Sequence, residues 1–97
     1  MNTYVVLLSF TGQGIRNIKD SPNRLDAAKQ AFAAAGASIK DYYLVMGQYD
    51  AVVIIEAPND EVAAALALAT GAQGNVKTET LRAFPEADYR KIVASLP

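Results

Sequence analysis

The chain has 97 residues, a net charge of −1 at pH 7 and a hydrophobic content of 52%. This length suits one domain with a modest core, and the scattered basic residues form no patch for nucleic acid. The absence of cysteine and histidine excludes disulfides, thiolate metal sites and haem held by an axial histidine. No apolar run reaches the ~20 residues of a membrane span, and the N-terminus leads directly into a strand. We therefore expect a cytoplasmic domain with no cofactor, no metal, and neither nucleic acid nor membrane as a partner.

The first predicted strand, Thr3–Phe10, is apolar on both faces. Its even-numbered residues would point to one side of the sheet, and Val5 and Leu7 to the other. The third predicted strand, about Tyr49–Glu56, contains the equally apolar run Ala51–Ile55. A strand with one face in water should alternate apolar with polar residues. Because the helices of so short a chain can cover only one face of the sheet, the pattern predicts a homo-oligomer sealed sheet to sheet.

A polar loop, Thr11–Ser21, follows the first strand and contains the segment GQGIRNIK at residues 12–19. Two glycines and two cations after a strand could hold an anion on backbone N–H groups. Asn17 stands where a dinucleotide fingerprint has its third glycine, however, and no P-loop lysine motif is present. A plain connection that needs the flexible φ of glycine is therefore the favoured interpretation.

The remaining elements follow from capping residues, periodicity and glycine stops. Ser21 is predicted to be the N-cap of a helix and Pro22 its first residue. This helix is predicted to end at Gly36. The later elements are a strand over about Ser38–Met46, a tight turn at Gly47-Gln48, a helix from about Asp60 to Gly71, a strand over about Val76–Ala83, and a last helix with the apolar positions Tyr89, Ile92, Val93 and Leu96.

The resulting order, β-α-β-β-α-β plus a C-terminal helix, predicts a ferredoxin-like α+β fold with a four-stranded antiparallel sheet. The run Val5–Leu8 is repeated as Val52–Ile55, so the chain divides into two similar halves within a single domain, 1–97. Strands one and three should be central because they are the most apolar. The charged fourth strand should lie at an edge.

The segment Gly47-Gln48-Tyr49-Asp50, followed by Ala51–Glu56, resembles the Gly-x-Tyr-Asp element of the GYD-domain family of small bacterial proteins. The stretches Tyr4–Asp20 and Gly74–Phe84 extend the resemblance over nearly the whole chain. The resemblance implies the dimeric α/β-barrel superfamily, in which two ferredoxin-like subunits pack sheet against sheet. It implies no particular activity, although the wider superfamily includes cofactor-free monooxygenases and isomerases.

Tyr49 and Asp50 are the candidate catalytic residues. A carboxylate beside a phenol could transfer a proton if burial raised the carboxyl pKa. The favoured alternative is structural, since an aspartate at a hairpin exit readily accepts local backbone N–H bonds.

A ligand, if one binds, should lie between the helices and the sheet, where the loop Thr11–Asp20 and the hairpin Gly47–Asp50 converge. The small residues of the run Ala63–Ala69 could let that helix lie close to the sheet or could leave room for a ligand. The candidate ligand-binding residues are Arg16, Asn17, Lys19, Tyr42 and Tyr49. Two functions stay open. The favoured one is a homo-oligomeric stand-alone module that binds a small apolar or weakly acidic molecule. The alternative is a cofactor-independent enzyme, monooxygenase- or isomerase-like, that uses Tyr49 or Asp50.

Overall fold

Four strands and four helices make up the structure, a computed structural model that describes residues 1–97. In chain order they are β1 (Asn2–Phe10), α1 (Gly12–Arg16), a 3-10 turn (Ile18–Asp20), α2 (Ser21–Ala34), β2 (Ser38–Leu44), β3 (Ala51–Ala57), α3 (Asp60–Ala72), β4 (Val76–Ala83) and α4 (Glu86–Ala94). This order confirms the predicted ferredoxin-like α+β fold. None of the helices has both the length and the apolar character needed to cross a membrane.

The sheet is antiparallel throughout, in the order β2-β3-β1-β4. The two apolar strands are therefore central and the other two are edges, as predicted. Leu7 lies opposite Val52 on one side and opposite Glu79 on the other. The pairing of β2 with β3 shifts register between Ile39 and Asp41, which is a β-bulge in an edge strand.

The core occupies one face of the sheet. Burial along β3 alternates strictly, with residues buried on one side and half-buried on the other. The buried side chains pack with α2 and α3; the largest are Tyr4, Phe32, Val53, Ile55 and Leu66. Since only 11 of the 97 residues are buried, the core is a single layer and the second face of the sheet adds little to it.

The connections that flank α2 correct one expectation and confirm another, and a side-chain cap begins α3. Ser21 is the first residue of α2 rather than its N-cap, because the 3-10 turn runs directly into the helix. Gly36 ends α2 with a φ of +79°, a conformation that suits glycine. The side chain of Asn59 caps α3 by accepting a hydrogen bond from the Val62 N–H at 2.9 Å.

The connection between β2 and β3 is longer than predicted. β2 ends at Leu44 and β3 begins at Ala51, so a six-residue loop replaces the tight turn expected at Gly47-Gln48. The loop is held at its base, because the Val45 N–H donates to the backbone O of Asp50 at 2.9 Å. Gly47, at the loop tip, has a φ of +122°.

The expectation that Gly12 and Gly14 supply a flexible φ is wrong. Both lie in α1, and neither is among the glycines with positive φ. Gly14 is needed for close approach instead, because a Cβ on it would lie 2.0 Å from the backbone O of Asn75. Its N–H donates to the Thr11 hydroxyl, so this amide already has a partner within the chain.

Candidate functional site

A cavity of about 180 Å³ lies between the helices α2 and α3 and the sheet. Its walls are mainly apolar and include Val6, Leu8 and Ile55 from the sheet and Ala28, Phe32 and Leu66 from the helices. Space remains there because both helices present short alanine side chains toward the sheet. The sequence pointed to this possibility through its alanine-rich run.

Arg24 is the one charged residue that lines the cavity. It belongs to the first turn of α2, and its Nη1 donates to the backbone O of Asn17 at 2.9 Å. Its Nη2 is buried and has no hydrogen-bond partner. A buried donor without an acceptor is unusual in a folded protein, and here it belongs to a cation beside an apolar space.

Tyr42, on β2, lines the same cavity. Burial raises the pKa of its phenol, the positive charge of Arg24 opposes this rise, and the negative charge of Asp50 adds to it. The net effect keeps the phenol neutral at neutral pH, so its hydroxyl can donate a hydrogen bond.

The opposite face of the sheet, here called the open face, is an apolar surface without a covering helix layer. Val5 lies opposite both Ile54 and Leu81, and Val52 lies opposite Leu7 and Tyr43. Residues directly opposite each other on neighbouring strands point to the same side of the sheet. Leu81 is 49% exposed and Tyr43 57% exposed, so the side chains at the margins of this face are open to solvent.

The C-terminal helix α4 is a second exposed apolar surface. Every residue of α4 is exposed. Its large apolar side chains are Tyr89, Ile92 and Val93, with Leu96 just beyond its end. Their spacing places them on one side of the helix, which is typical of a helix that packs on a partner.

The hairpin residues Tyr49 and Asp50 attach the β2–β3 loop to the sheet. The Tyr49 hydroxyl donates to Oε2 of Glu79 on β4 at 2.8 Å, and this hydrogen bond, with some burial, raises the pKa of the phenol. Oδ2 of Asp50 accepts the Phe10 N–H at 2.8 Å, and the Asp50 N–H donates to the backbone O of Leu8 at 2.8 Å. Asp50 therefore accepts a backbone N–H, although that donor belongs to β1 rather than to the turn.

Comparison with known proteins identifies the family to which this arrangement belongs. Residues 4–93 match the family model described as GYD domain. The chain belongs to the GYD-domain family. A curated relative in Thermus thermophilus, the glutamine synthetase and cystathionine beta-lyase binding protein, is 34% identical over 89 residues, which are 91% of this chain and 94% of the relative. The crystal structure of TTHA0845 from Thermus thermophilus matches with a TM-score of 0.52 and 28% identity, over 88% of this chain and 95% of that one.

This GYD domain brings one of the five predicted ligand-binding residues to the cavity. Tyr42 lines it, whereas Arg16, Asn17, Lys19 and Tyr49 do not. Arg16 and Lys19 are exposed on the connection before α2. The backbone O of Asn17 accepts a hydrogen bond from Arg24 and so helps to position that side chain. A direct role of these four side chains in binding stays a prediction.

Arg24 is the cavity residue that sequence reasoning missed. In the sequence it is one of several scattered basic residues. The available signal was its position four residues before Ala28, which places both residues on one face of the helix. A basic residue on the face of α2 that packs on the sheet indicates a polar group directed toward the core.

A second contact of this GYD domain was also missed from the sequence. The Tyr4 hydroxyl donates a hydrogen bond to the Asp60 carboxylate and accepts one from Nδ2 of Asn2 at 3.3 Å. The guanidinium of Arg82 lies 5.6 Å from the centroid of the Tyr4 ring. Burial is the main cause that raises the Tyr4 pKa. The hydrogen bond between Tyr4 and Asp60 joins the start of β1 to the start of α3. The two lie close together because β1 runs antiparallel to β3, and α3 follows the end of β3.

Proposed function

We propose that this GYD-domain protein is a stand-alone interaction module of the cytoplasm, which self-associates through the open face and binds other proteins. The observation that carries the proposal is the open face itself, an apolar sheet surface without a helix layer over it. Soluble monomers rarely expose a contiguous apolar patch of more than a few hundred Å². A second copy of the chain would cover this face.

Contacts at the margins of the open face support a face-to-face arrangement. Nζ of Lys40 lies 3.4 Å from Oε1 of Glu56, and Glu79 accepts from Tyr49. Two of the charged groups beside the apolar centre, Glu56 and Glu79, therefore already have partners within one chain. An apolar centre with a polar rim is the common organisation of a protein interface.

The relative in Thermus thermophilus supports the second part of the proposal, because it is described as binding glutamine synthetase and cystathionine beta-lyase. The match spans nearly all of both chains, so no additional domain is needed for an activity of that kind. The exposed apolar side of α4 is the surface that we assign to protein partners, since every residue of this helix is exposed and its large apolar side chains lie on one side of it.

Self-association can be tested by sedimentation velocity at micromolar concentration. We expect a dimer or larger species for the wild type and dissociation of Leu81→Lys, whose side chain lies at the exposed margin of the open face. Leu81 is 49% exposed in the single chain, so the change should leave the subunit folded. The matched control is Ala33→Lys on the exposed side of α2, which should sediment like the wild type. A well-folded wild-type monomer would refute self-association.

Partner binding can be tested by biolayer interferometry with purified glutamine synthetase and cystathionine beta-lyase from the organism that encodes this chain. We expect saturable binding to at least one of them. Ile92→Lys, in the apolar side of α4, should weaken binding at least tenfold, whereas Ala94→Lys on the other side of the helix should not. If neither enzyme binds, the protein-partner proposal fails and the self-association result is unaffected.

The alternative of a cofactor-independent enzyme receives no support from the positions of Tyr49 and Asp50. Neither residue lines the helix–sheet cavity. The Tyr49 hydroxyl donates to Glu79, and the Asp50 carboxylate accepts from the backbone of β1. Both side chains thus have structural partners, and a general base needs access to a substrate proton.

A further inference from the structure

We propose that the helix–sheet cavity binds a small amphipathic monocarboxylate, whose carboxylate pairs with the guanidinium of Arg24 and whose apolar body lies among Ala28, Phe32 and Leu66. This site is separate from both surfaces of the proposed function. It does not depend on self-association or on a protein partner.

The size of the cavity sets the size of the apolar body. A cavity of about 150 Å³ lined by apolar side chains stays dry and can bind benzene. The present cavity, at about 180 Å³, therefore accommodates a body of roughly one aromatic ring or a short alkyl chain. Its apolar walls favour such a body over a sugar or a nucleotide, which would leave polar groups unsatisfied.

The charge in the cavity selects the head group. Arg24 is the only charged residue in the lining, and no carboxylate of the chain lines the cavity to neutralise it. Nη1 already has its acceptor in Asn17, while Nη2 is buried without one. A guanidinium presents its donors in a planar fork that matches a carboxylate. A single cation calls for a single negative charge, so we infer a monoacid rather than a diacid or a phosphate ester.

Tyr42 supplies a second polar contact on the sheet side of the cavity. Its hydroxyl belongs to a neutral phenol that can donate to the second carboxylate oxygen. Asp50 is the neighbouring carboxylate, but it does not line the cavity and it accepts a hydrogen bond from the Phe10 N–H. It therefore does not compete with a ligand for Arg24. Ligand binding would thus give the Arg24 guanidinium a carboxylate partner, which the chain itself does not supply.

The test uses the full chain and four probes: octanoate, phenylacetate, octan-1-ol and octylammonium. Isothermal titration calorimetry gives the dissociation constants, and ¹H–¹⁵N chemical shifts locate the site. We expect both carboxylates to bind saturably at or below millimolar concentration, with shifts in α2 and β2. Octan-1-ol and octylammonium should each bind at least tenfold more weakly than octanoate.

Two variants test the contributions of the Arg24 charge and of the cavity volume separately. Arg24→Gln should weaken octanoate binding at least tenfold and leave octan-1-ol binding unchanged, whereas Lys29→Gln, at an exposed cation of α2 outside the cavity, should change neither. Because Arg24 also holds the backbone of Asn17, Ala28→Leu provides a second test that keeps the guanidinium and fills the cavity; it should weaken both probes. Equal affinity for acid and alcohol, no saturable binding of either acid, shifts confined to the open face, or loss of binding in Lys29→Gln alone would overturn the proposal.

Discussion

Replacing Gly14 with alanine should destabilise the protein by about 2 kcal/mol, because α1 lies directly on the backbone of Asn75. The new Cβ would lie 2.0 Å from the Asn75 carbonyl oxygen, so the two segments must separate by about 1.4 Å to reach the 3.4 Å at which ordinary contact begins. That movement strains the hydrogen bonds that join them, from the Thr11 N–H to the Asn75 O at 3.1 Å and from Gln13 Nε2 to Asn75 Oδ1 at 3.0 Å. A third hydrogen bond, from the Thr11 hydroxyl to the Gly74 backbone O at 2.6 Å, joins the same segments. Losing these bonds costs about 0.5–1.5 kcal/mol each, and the better helix propensity of alanine returns at most about 1 kcal/mol.

Urea denaturation followed by circular dichroism measures this change in the free energy of unfolding, and thermal melting should show a midpoint lower by roughly 10 °C. Gly71→Ala is the matched control, since Gly71 lies in α3 and a Cβ added to it would have nothing within 4 Å. We expect that variant to be as stable as the wild type or more stable, by up to about 1 kcal/mol. A Gly14→Ala protein of wild-type stability, or a fall in stability of the same size in both variants, would refute the reasoning from close approach.

Two further predictions concern side chains that join distant parts of the chain. Asp50→Asn should cost less than about 1.5 kcal/mol, whereas Asp50→Ala should cost about 1.5–3 kcal/mol because the Phe10 N–H loses its acceptor; identical urea midpoints for wild type and both variants would contradict this role. Tyr4→Phe should cost about 1 kcal/mol near neutral pH, since its partner Asp60 is exposed and can turn to water. Because burial raises the Tyr4 pKa above its ordinary 10.0, the unfolded chain loses this proton first, and stability should fall as the pH rises above 10. Stability measured from pH 8 to 11 should fall less steeply in Tyr4→Phe than in the wild type, and parallel curves would count against the buried phenol as a cause.

The order of the strands could be predicted from the sequence because it depends on local pattern. Apolar residues on both faces of β1 and β3 marked the central strands, and Lys77 and Glu79 marked β4 as an edge. The long helices were also accessible, since α2 ends at a glycine and α3 begins with capping residues. Each of these signals lies within a few residues of the element that it specifies.

The contacts between distant segments could not be predicted in the same way. The N–H that Asp50 accepts belongs to Phe10, 40 residues earlier, and the pairing depends on how the loop lies against β1. The role of Gly14 depends on the position of Asn75, which no local pattern reports. The cavity is the space left where two alanine-rich helices pack on a sheet, so its volume and the hydrogen bond from Arg24 to Asn17 emerge only from the packed structure.

The bulge in β2 has a consequence for how the protein avoids fibrils. A chain with an exposed apolar face risks stacking edge to edge into an open-ended ladder, which needs straight edge strands with regularly spaced backbone groups. At one edge the bulge between Ile39 and Asp41 interrupts that spacing, and at the other edge the charged side chains of Lys77, Glu79 and Arg82 oppose a further strand. Growth in the plane of the sheet is thereby blocked at both ends. The apolar face can take part in a closed, finite assembly while amyloid-like polymerisation is disfavoured.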